Sequence, residues 1–206
     1  MMRQLCGTFY ALSMRLYQQL RSGGGRAVLI SSARPEEGKT FVARNVASFL
    51  AELSPDMVLL VDANLERPSL HAAYGVSNDI GFSDALAHGR FGEVPVHPTL
   101  QPNLKLMTVG QTLKPGVLFR PQHFADFLAH FGRNFGVILF DGGLLGASGC
   151  LPHQCDGTIM VVDAGNTRRE VIQGVMAQAK IERSRYLGAI LNKRMQYIPR
   201  AFYRYF

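Results

Sequence analysis

The chain alternates short unbroken runs of hydrophobic residues with longer stretches in which hydrophobic residues recur at helical spacing. Unbroken runs are typical of strands buried on both faces of a parallel sheet, and helical spacing indicates amphipathic helices. The predicted strands are Ala27–Ser31, Met57–Val61, Leu104–Val109, Val137–Phe140, Thr158–Val162 and Leu187–Leu191. The predicted helices are Phe9–Arg21, Lys39–Leu53, Gln122–Arg133 and Arg168–Arg183, with a brief one at Ser83–His88.

This alternation predicts an α/β fold in which a mostly parallel β-sheet is flanked by helices on both faces. With 206 residues, 47% hydrophobic and 18% charged, the chain suits one domain with a substantial core. We expect an N-terminal helix over residues 1–22, a main domain over 26–195 and a basic, tyrosine-containing tail over 196–206. The segment Ser22–Gly25 predicts a flexible hinge before the first strand.

The segment after the first predicted strand has the pattern of a phosphate-binding loop. It ends in Gly38-Lys39-Thr40 and leads directly into the second predicted helix. Backbone N–H groups and the dipole at a helix N-terminus attract phosphate. Lys39 would place a positive charge at the β- and γ-phosphates, and the Thr40 hydroxyl would be a Mg²⁺ ligand. The predicted nucleotide contacts in this segment are Ala33, Arg34, Pro35, Glu36, Glu37, Gly38, Lys39, Thr40 and Phe41.

Two aspartates follow strands that should end at the same sheet edge as this loop, Asp62 after the second strand and Asp141 after the fourth. Ligands of open α/β sheets bind beyond the carboxyl ends of the strands. Either carboxylate could hold Mg²⁺, and Asp62 could also accept a proton from an attacking hydroxyl. Thr40, Asp62 and Asp141 are therefore the predicted metal ligands, and Lys39, Asp62 and Asp141 the predicted catalytic residues. The glycines at 142 and 143 would let the backbone approach closely.

The net charge of +7 has one concentration near the C-terminal end, at Lys193, Arg194, Arg200 and Arg204. Such an end could contact anionic lipid or nucleic acid, or be a solvated basic tail. No pattern of a nucleic-acid-binding module is present, so no sequence-specific nucleic acid is expected.

The cysteine pattern and hydropathy predict a cytoplasmic location. Three cysteines without a paired spacing suit a reducing compartment. Cys150, His153 and Cys155 are close in sequence but have no fourth ligand nearby, which argues against a metal site. No run approaches the ~20 uncharged apolar residues that a membrane span needs.

From about Leu16 onward the chain resembles the bacterial tyrosine autokinases of capsule and exopolysaccharide export, which are relatives of the ParA/MinD-type partitioning ATPases. The resemblance implies a P-loop NTPase fold over the main domain. The motifs that carry it, in order along most of the chain, are Ser32–Thr40, Val58–Leu70, Gly81–Leu86, Asn103–Gly110, Asp156-Gly157 and Leu191–Lys193.

The resemblance also implies roles and partners. ATP or ADP with Mg²⁺ would be the cofactors, bound by Lys39 and Thr40. Asp62 would belong to the family's additional acidic motif, Asp141 to its Walker B strand, and Asn192 would read the adenine edge. The implied partner is a membrane protein of the chain-length-determinant type, which would hold the chain at the inner membrane, and a homo-oligomer is a further possibility.

Several positions depart from the family pattern. Asn64 stands in place of a second aspartate, Glu66 in place of an arginine, and Leu144 follows two glycines where the family has Thr-Pro-Pro. Glu36 replaces a loop glycine, which would cost about 1 kcal/mol if the backbone there needs a positive φ. These departures predict weak or absent catalysis.

Two peripheral features of the family are reduced. Arg15 is the only charge in residues 11–20, so this helix is either an oligomer contact or an amphipathic core helix. The candidate phosphate acceptors Tyr197, Tyr203 and Tyr205 could equally be packing or lipid-facing aromatics. Arg34 is either a cross-subunit residue or a solvated loop arginine.

These observations predict an ATP-Mg²⁺-binding tyrosine autokinase-like protein of capsule or exopolysaccharide biosynthesis and export. Two alternatives stay open. One is an ATPase switch of the ParA/MinD type without kinase activity. The other is a non-catalytic pseudokinase partner of the export machinery.

Overall fold

A computed structural model describes residues 2–111, 121–149, 151–180 and 185–194. These residues form a seven-stranded sheet with the strand order β3-β4-β2-β5-β1-β6-β7. Every neighbouring pair is parallel except β3 and β4. The strands are β1 Ala27–Ser32, β2 Val58–Ala63, β3 His97–Pro98, β4 Leu104–Met107, β5 Val137–Leu144, β6 Gly157–Asp163 and β7 Tyr186–Asn192.

The helices of the described residues cover both faces of this sheet. They are α1 Met2–Gly23, α2 Lys39–Leu53, α3 Leu70–Tyr74, α4 Phe82–His88, α5 Pro121–Phe131, α6 Leu151–Gln154 and α7 Arg169–Ala179, with short 3₁₀ turns at Phe91–Glu93 and Leu145–Ala147. None of these helices is both long enough and apolar enough to cross a bilayer.

Alternate residues of the central strands supply two separate hydrophobic cores, because successive strand side chains point to opposite faces. In β1, Val28 and Ile30 pack with the α1 and α2 side, whereas Ala27 and Leu29 pack on the other. That second core is aromatic: the Phe82 ring lies 5.2 Å from Phe127 and 5.6 Å from Phe140, between ring centroids. β1, β2 and β5 are therefore apolar on both faces, which explains their unbroken hydrophobic runs.

The structure confirms the predicted fold class and six strands, and corrects several boundaries. The predicted strand Leu104–Val109 ends at Met107, because the carbonyls of Thr108 and Val109 accept the N–H groups of Phe82 and Ser83 at the start of α4. Periodicity missed β3, α3 and α6, which are too short for a pattern of their own.

Two helix ends also differ from the prediction. α1 continues through Ser22 and Gly23, so the segment before β1 is shorter than the predicted hinge. α7 ends at Ala179, where Lys180 adopts a left-handed conformation with φ 48°. The predicted boundary at 195/196 lies outside the described residues.

Candidate functional site

The phosphate-loop segment has an unusual backbone shape at the point where α2 begins. Gly38 precedes the helix in a left-handed conformation with φ 92°. A side chain at this position would be strained by the positive φ and would displace the Asn192 amide group, so glycine is favoured. Glu36 is also left-handed, with φ 62°. From the sequence, a cost is expected at Glu36 if the backbone there needs a positive φ, and the structure meets that condition.

A cleft of about 340 Å³ opens above this loop, at the carboxyl edge of the central strands. It joins the start of α2 to the segment after β2 and to the end of β5. At Gly142 a Cβ would lie 2.6 Å from Leu29 Cδ1, so the packing of the core next to the cleft favours glycine there; the predicted close approach of the backbone to a ligand stays a prediction. The cleft is lined by Pro35, Glu36, Gly38, Lys39, Thr40, Asn64, Glu66, Arg67, Ser69 and Leu144.

Asp141 lies on β5 beside this cleft and is fully buried. Neither of its carboxylate oxygens has a hydrogen-bond partner of acceptable distance and angle among the described residues, although the Thr40 hydroxyl lies near enough to affect it. Burial raises the pKa of Asp141 to about 7, and the charge of Asp62 adds to the rise, whereas the Thr40 hydroxyl and Lys39 lower it. A buried carboxylate without partners, close to a hydroxyl and an ammonium group, fits a site for a hydrated Mg²⁺ ion.

Asp62 is also fully buried, but its oxygens already have partners. Oδ1 accepts the Asn64 N–H at 3.2 Å, and Oδ2 accepts the N–H groups of Ser69 and Leu70, each at 3.0 Å. Burial raises the pKa of Asp62, and these backbone hydrogen bonds oppose the rise. The carboxylate thus holds the segment from β2 to α3, in addition to facing Asp141.

Asn64 stabilises the same segment. Its Nδ2 donates to the Arg67 carbonyl at 2.9 Å, and its Oδ1 accepts the Arg67 N–H at 3.3 Å. The amide that stands in place of a carboxylate therefore shapes a turn at the cleft wall. On the other wall, the exposed Glu36 carboxylate lies 3.8 Å from the exposed Arg67 guanidinium. That pair contributes little to stability, because both groups are solvated.

Glu37 is the residue whose surroundings the sequence interpretation missed. Its side chain is buried, with 2% of the residue's surface exposed. Oε2 accepts the Arg34 N–H at 2.8 Å, and Oε1 accepts the Asp163 N–H at 3.0 Å and the Thr167 hydroxyl. Asp163 and Thr167 lie far along the chain, so no local pattern could have placed them beside Glu37.

Asn192, the predicted adenine reader, lies at the end of β7 against the phosphate loop. Its Nδ2 donates to the Glu37 carbonyl at 2.8 Å. The next residue, Lys193, donates to the Glu36 carbonyl at 2.6 Å and lies 3.4 Å from an Asp163 oxygen. A role at adenine stays a prediction, since the described contact is with the loop itself.

No model of a protein family matches the sequence. Among curated proteins, it is 28% identical over 171 residues to tyrosine-protein kinase YwqD of Bacillus subtilis, covering 81% of this chain and 72% of YwqD. Tyrosine-protein kinase CpsD of Streptococcus agalactiae is 25% identical, covering 89% of this chain and 81% of CpsD. The chain is related to the bacterial tyrosine-protein kinases.

One further relative is much longer than the chain. The chain is 25% identical to the succinoglycan biosynthesis transport protein ExoP of Rhizobium meliloti, with 90% of this chain but only 24% of ExoP in the match. The match covers about a quarter of ExoP, so it says nothing about the activity or the partners of the rest of that protein. The three matches cover 81%, 90% and 89% of this chain. In each case the matched part of this chain contains Asp62 and Asp141.

Solved structures of kinases and of a MinD ATPase share the fold. The kinase domain of Escherichia coli tyrosine kinase ETK superposes with a TM-score of 0.79 at 22% identity, covering 94% of this chain and 78% of that domain. MinD of Pyrococcus horikoshii, solved with Mg-ADP, gives 0.60 at 22% identity, covering 85% of this chain and 75% of MinD. The fold is therefore that of MinD-like P-loop NTPases.

Some of the other residues singled out from the sequence lie in the described part of the chain, and some lie outside it. Arg34 is exposed, and the Phe41 ring is half-exposed and lies 5.8 Å from the Phe9 ring of α1, between centroids. The tyrosines of the tail and Cys150 lie outside the described residues. Within the described part of the chain, no group of three histidine, cysteine, aspartate or glutamate side chains is placed to hold a metal ion by itself.

Replacing Glu36 with glycine should raise the free energy of unfolding by about 0.5–1 kcal/mol, because glycine adopts the left-handed conformation without the strain of a Cβ atom. Loss of the exposed pair with Arg67 should cost little. Urea unfolding would measure the change. Glu36→Ala is the matched control, since it removes the same charge and keeps the Cβ; equal gains in both variants would contradict the strain explanation.

Proposed function

We propose that the chain binds ATP with Mg²⁺ and is a tyrosine autokinase-like protein of capsule or exopolysaccharide biosynthesis, with weakened phosphoryl transfer. The observation that carries the proposal is the buried Asp141 carboxylate, which has no hydrogen-bond partner in the described residues and lies at the phosphate loop beside Thr40 and Lys39. The kinship with tyrosine-protein kinases supports the reaction type.

The site residues divide the work in this proposal. Lys39 and the N–H groups at the start of α2 would hold the phosphates, and Thr40, Asp141 and Asp62 would hold Mg²⁺ directly or through water. When bound, Mg²⁺ would neutralise charge that develops on the transferring phosphoryl group. The cleft would orient the tyrosine hydroxyl, and Asp62 would accept its proton.

The contacts of Asp62 are the reason for proposing a slow reaction. Both oxygens already accept backbone N–H groups, so accepting a proton would weaken bonds that hold the segment up to α3. The amide nitrogen and the amide oxygen of Asn64 are both hydrogen-bonded to the Arg67 backbone. The amide carries no charge with which to assist Asp62 in binding Mg²⁺ or accepting a proton. The negative charge of Glu36 at the cleft also disfavours phosphate.

The same contacts favour a second candidate, a nucleotide-binding protein without kinase activity. It would be either an ATPase switch of the MinD type or a non-catalytic partner of an export assembly. In both cases Asp62 would keep its structural bonds, and nucleotide binding alone would set the conformation of the cleft walls.

A location and partners follow from the relatives as part of the proposal. ExoP is named as a transport protein of succinoglycan biosynthesis. We propose that this chain works in the cytoplasm, at the inner face of the membrane, through a membrane protein of the chain-length-determinant type. Homo-oligomers would let the tail tyrosines of one copy, Tyr197, Tyr203 and Tyr205, reach the cleft of the next.

Incubation of the purified protein with labelled ATP and Mg²⁺, with and without the partner's cytoplasmic segment, tests these proposals. We expect nucleotide binding and slow phosphotyrosine formation, lost when Tyr197, Tyr203 and Tyr205 are replaced by phenylalanine. Asn64→Asp supplies a carboxylate and gives up the hydrogen bond to the Arg67 carbonyl, and should speed the reaction roughly tenfold. Mass spectrometry of the tail would measure phosphotyrosine.

The other outcomes separate the candidates. Free phosphate without phosphotyrosine would favour the ATPase switch. Nucleotide binding without turnover, in both the wild type and Asn64→Asp, would favour the non-catalytic partner. A wild-type protein that binds no nucleotide would contradict the proposed function.

A further inference from the structure

The strongest unexplained feature of the site is that its phosphate loop contains a buried carboxylate that points away from the cleft. Glu37 does not line the cleft, unlike its neighbours Glu36 and Gly38. Its two oxygens accept three hydrogen bonds, one from the loop's own Arg34 N–H and two from the end of β6 and the turn that follows it. A buried carboxylate is costly unless hydrogen bonds compensate it. Because its donors come from different segments, Glu37 connects those segments to one another.

Further contacts reinforce the connection from β7. Asn192 donates to the Glu37 carbonyl, and Lys193 contacts both the Glu36 carbonyl and the Asp163 carboxylate. The hydrogen bond from Asn166, with those from Gly165 and Lys193, keeps the pKa of Asp163 below its usual range despite its burial. We call Glu37, Asp163, Thr167 and Asn192 the loop latch.

The loop needs such support because its backbone is left-handed on both sides of Glu37 and strained at Glu36, the one of the two positions that is not a glycine. Glu36 and Gly38 are both left-handed, with φ 62° and 92°. At a residue other than glycine, such as Glu36, a left-handed conformation is costly and persists only when the surrounding structure holds it in place. Glu37 lies between these two positions and is held at both of its ends. Its carboxylate accepts hydrogen bonds from Arg34, Asp163 and Thr167, and its carbonyl accepts one from Asn192.

We propose that Glu37 is a positioning residue for phosphate binding. It holds the loop in the shape that directs the N–H groups at the start of α2 into the cleft, and it ties that shape to the ends of β6 and β7. Glu37 itself contacts no phosphate in this arrangement. The inference rests on the proposed nucleotide binding and adds a residue that acts through the loop backbone.

Glu37→Gln should weaken MgADP binding roughly tenfold in titration calorimetry. The glutamine amide nitrogen cannot accept a hydrogen bond, so at least one backbone N–H, the part-buried one of Arg34 or the buried one of Asp163, loses its partner. Thr167→Val should weaken binding in the same direction, and Thr167→Ser, which keeps the hydroxyl, should restore it. The double variant Glu37→Gln with Thr167→Val should weaken binding by less than the product of the two single effects.

A second measurement separates positioning from general stability. Hydrogen exchange of the ligand-free protein should be faster in the peptide that covers residues 32–42 for Glu37→Gln, and unchanged in the central strands. Glu36→Gln is the matched comparison: it removes the same charge from the neighbouring exposed residue and should bind MgADP more tightly, because the cleft loses a negative charge.

Three results would overturn the inference. If the wild type binds MgADP and Glu37→Gln binds it equally well, the inference fails while the proposed function stands. If the wild type binds no nucleotide, both fail. If Glu37→Gln does not fold, Thr167→Val and Thr167→Ser carry the test alone, and equal affinities for that pair would refute the loop latch.

Discussion

Replacing Asp141 with asparagine should stabilise the ligand-free protein and remove the part of nucleotide binding that depends on Mg²⁺. The carboxylate is fully buried and has no hydrogen-bond partner in the described residues. Its pKa is raised from 3.8 to about 7, so ionisation at neutral pH costs free energy in the folded state. We expect the free energy of unfolding to rise by on the order of 3 kcal/mol at pH 8.

The sign of the pH dependence follows from the raised pKa. Between about pH 4 and pH 7, the folded state holds a proton on Asp141 that the unfolded state releases. The stability of the wild type should therefore fall as the pH rises through this window and change no further above it. The Asp141→Asn variant should lack this component, so its advantage over the wild type should be largest above pH 7 and shrink towards pH 4.

Urea unfolding at several pH values would measure both effects. Asp126→Asn on the exposed side of α5 is the matched control, and should change stability by less than ~0.5 kcal/mol at any pH. A variant Asp141→Asn that is less stable than the wild type throughout the range would contradict the proposed arrangement. A stabilising change that removes function is expected where a site holds an unpaired charge for its ligand.

Lys39→Ala should weaken ATP binding at least roughly a hundredfold. Lys39 is the first residue of α2, lines the cleft and lowers the pKa of Asp141 by its charge. Its ammonium group would make charge-assisted hydrogen bonds to phosphate oxygens, and the loss of such contacts costs about 3 kcal/mol. Fluorescence titration with a labelled ATP analogue would measure the affinity.

Lys39→Ala has two controls: the same substitution at Lys105, and the pH dependence of stability that Asp141 causes. Lys105→Ala on β4, which does not line the cleft, should leave ATP affinity within about twofold of the wild type. Without Lys39, the pKa of Asp141 should rise further, which would move the pH dependence of stability upward. Unchanged affinity in Lys39→Ala would contradict the assignment of the phosphate loop, and phosphotyrosine formation that survives the substitution would contradict the proposed kinase site.

The comparison of Asp62 and Asp141 shows how much of the site the sequence predicts. Both were expected at the carboxyl edge of the sheet, and β2 and β5 pair in register there, with Asp62 opposite Asp141. Strand patterns and the rule for ligand placement in parallel sheets sufficed for this prediction. They could not show that Asp62 accepts three backbone N–H groups whereas Asp141 accepts none. The three donors lie between the end of β2 and the start of α3, and hydrophobic periodicity does not predict the path of a turn.

Glu36 and Glu37 make the same point within two adjacent residues. The motif predicted the loop, and a cost at Glu36 if the backbone there has a positive φ, since both depend on local backbone geometry. It treated Glu37 as one more loop residue, although Glu37 is the carboxylate that joins the loop to Asp163 and Thr167. These partners come from the end of β6 and beyond, and their approach depends on β1 pairing with β6 and on β6 pairing with β7.

Local patterning was therefore enough for the strand–loop–helix unit, the parallel sheet and the positions of its edge carboxylates, because hydrophobic spacing and glycine placement act over a few residues. Only the tertiary structure decided which of those carboxylates has hydrogen-bond partners. Asp62 and Glu37 are held, and Asp141 is left without a partner in the described residues. The physical reason is that the charge state and bonding of a buried group depend on donors brought close by chain segments distant in sequence.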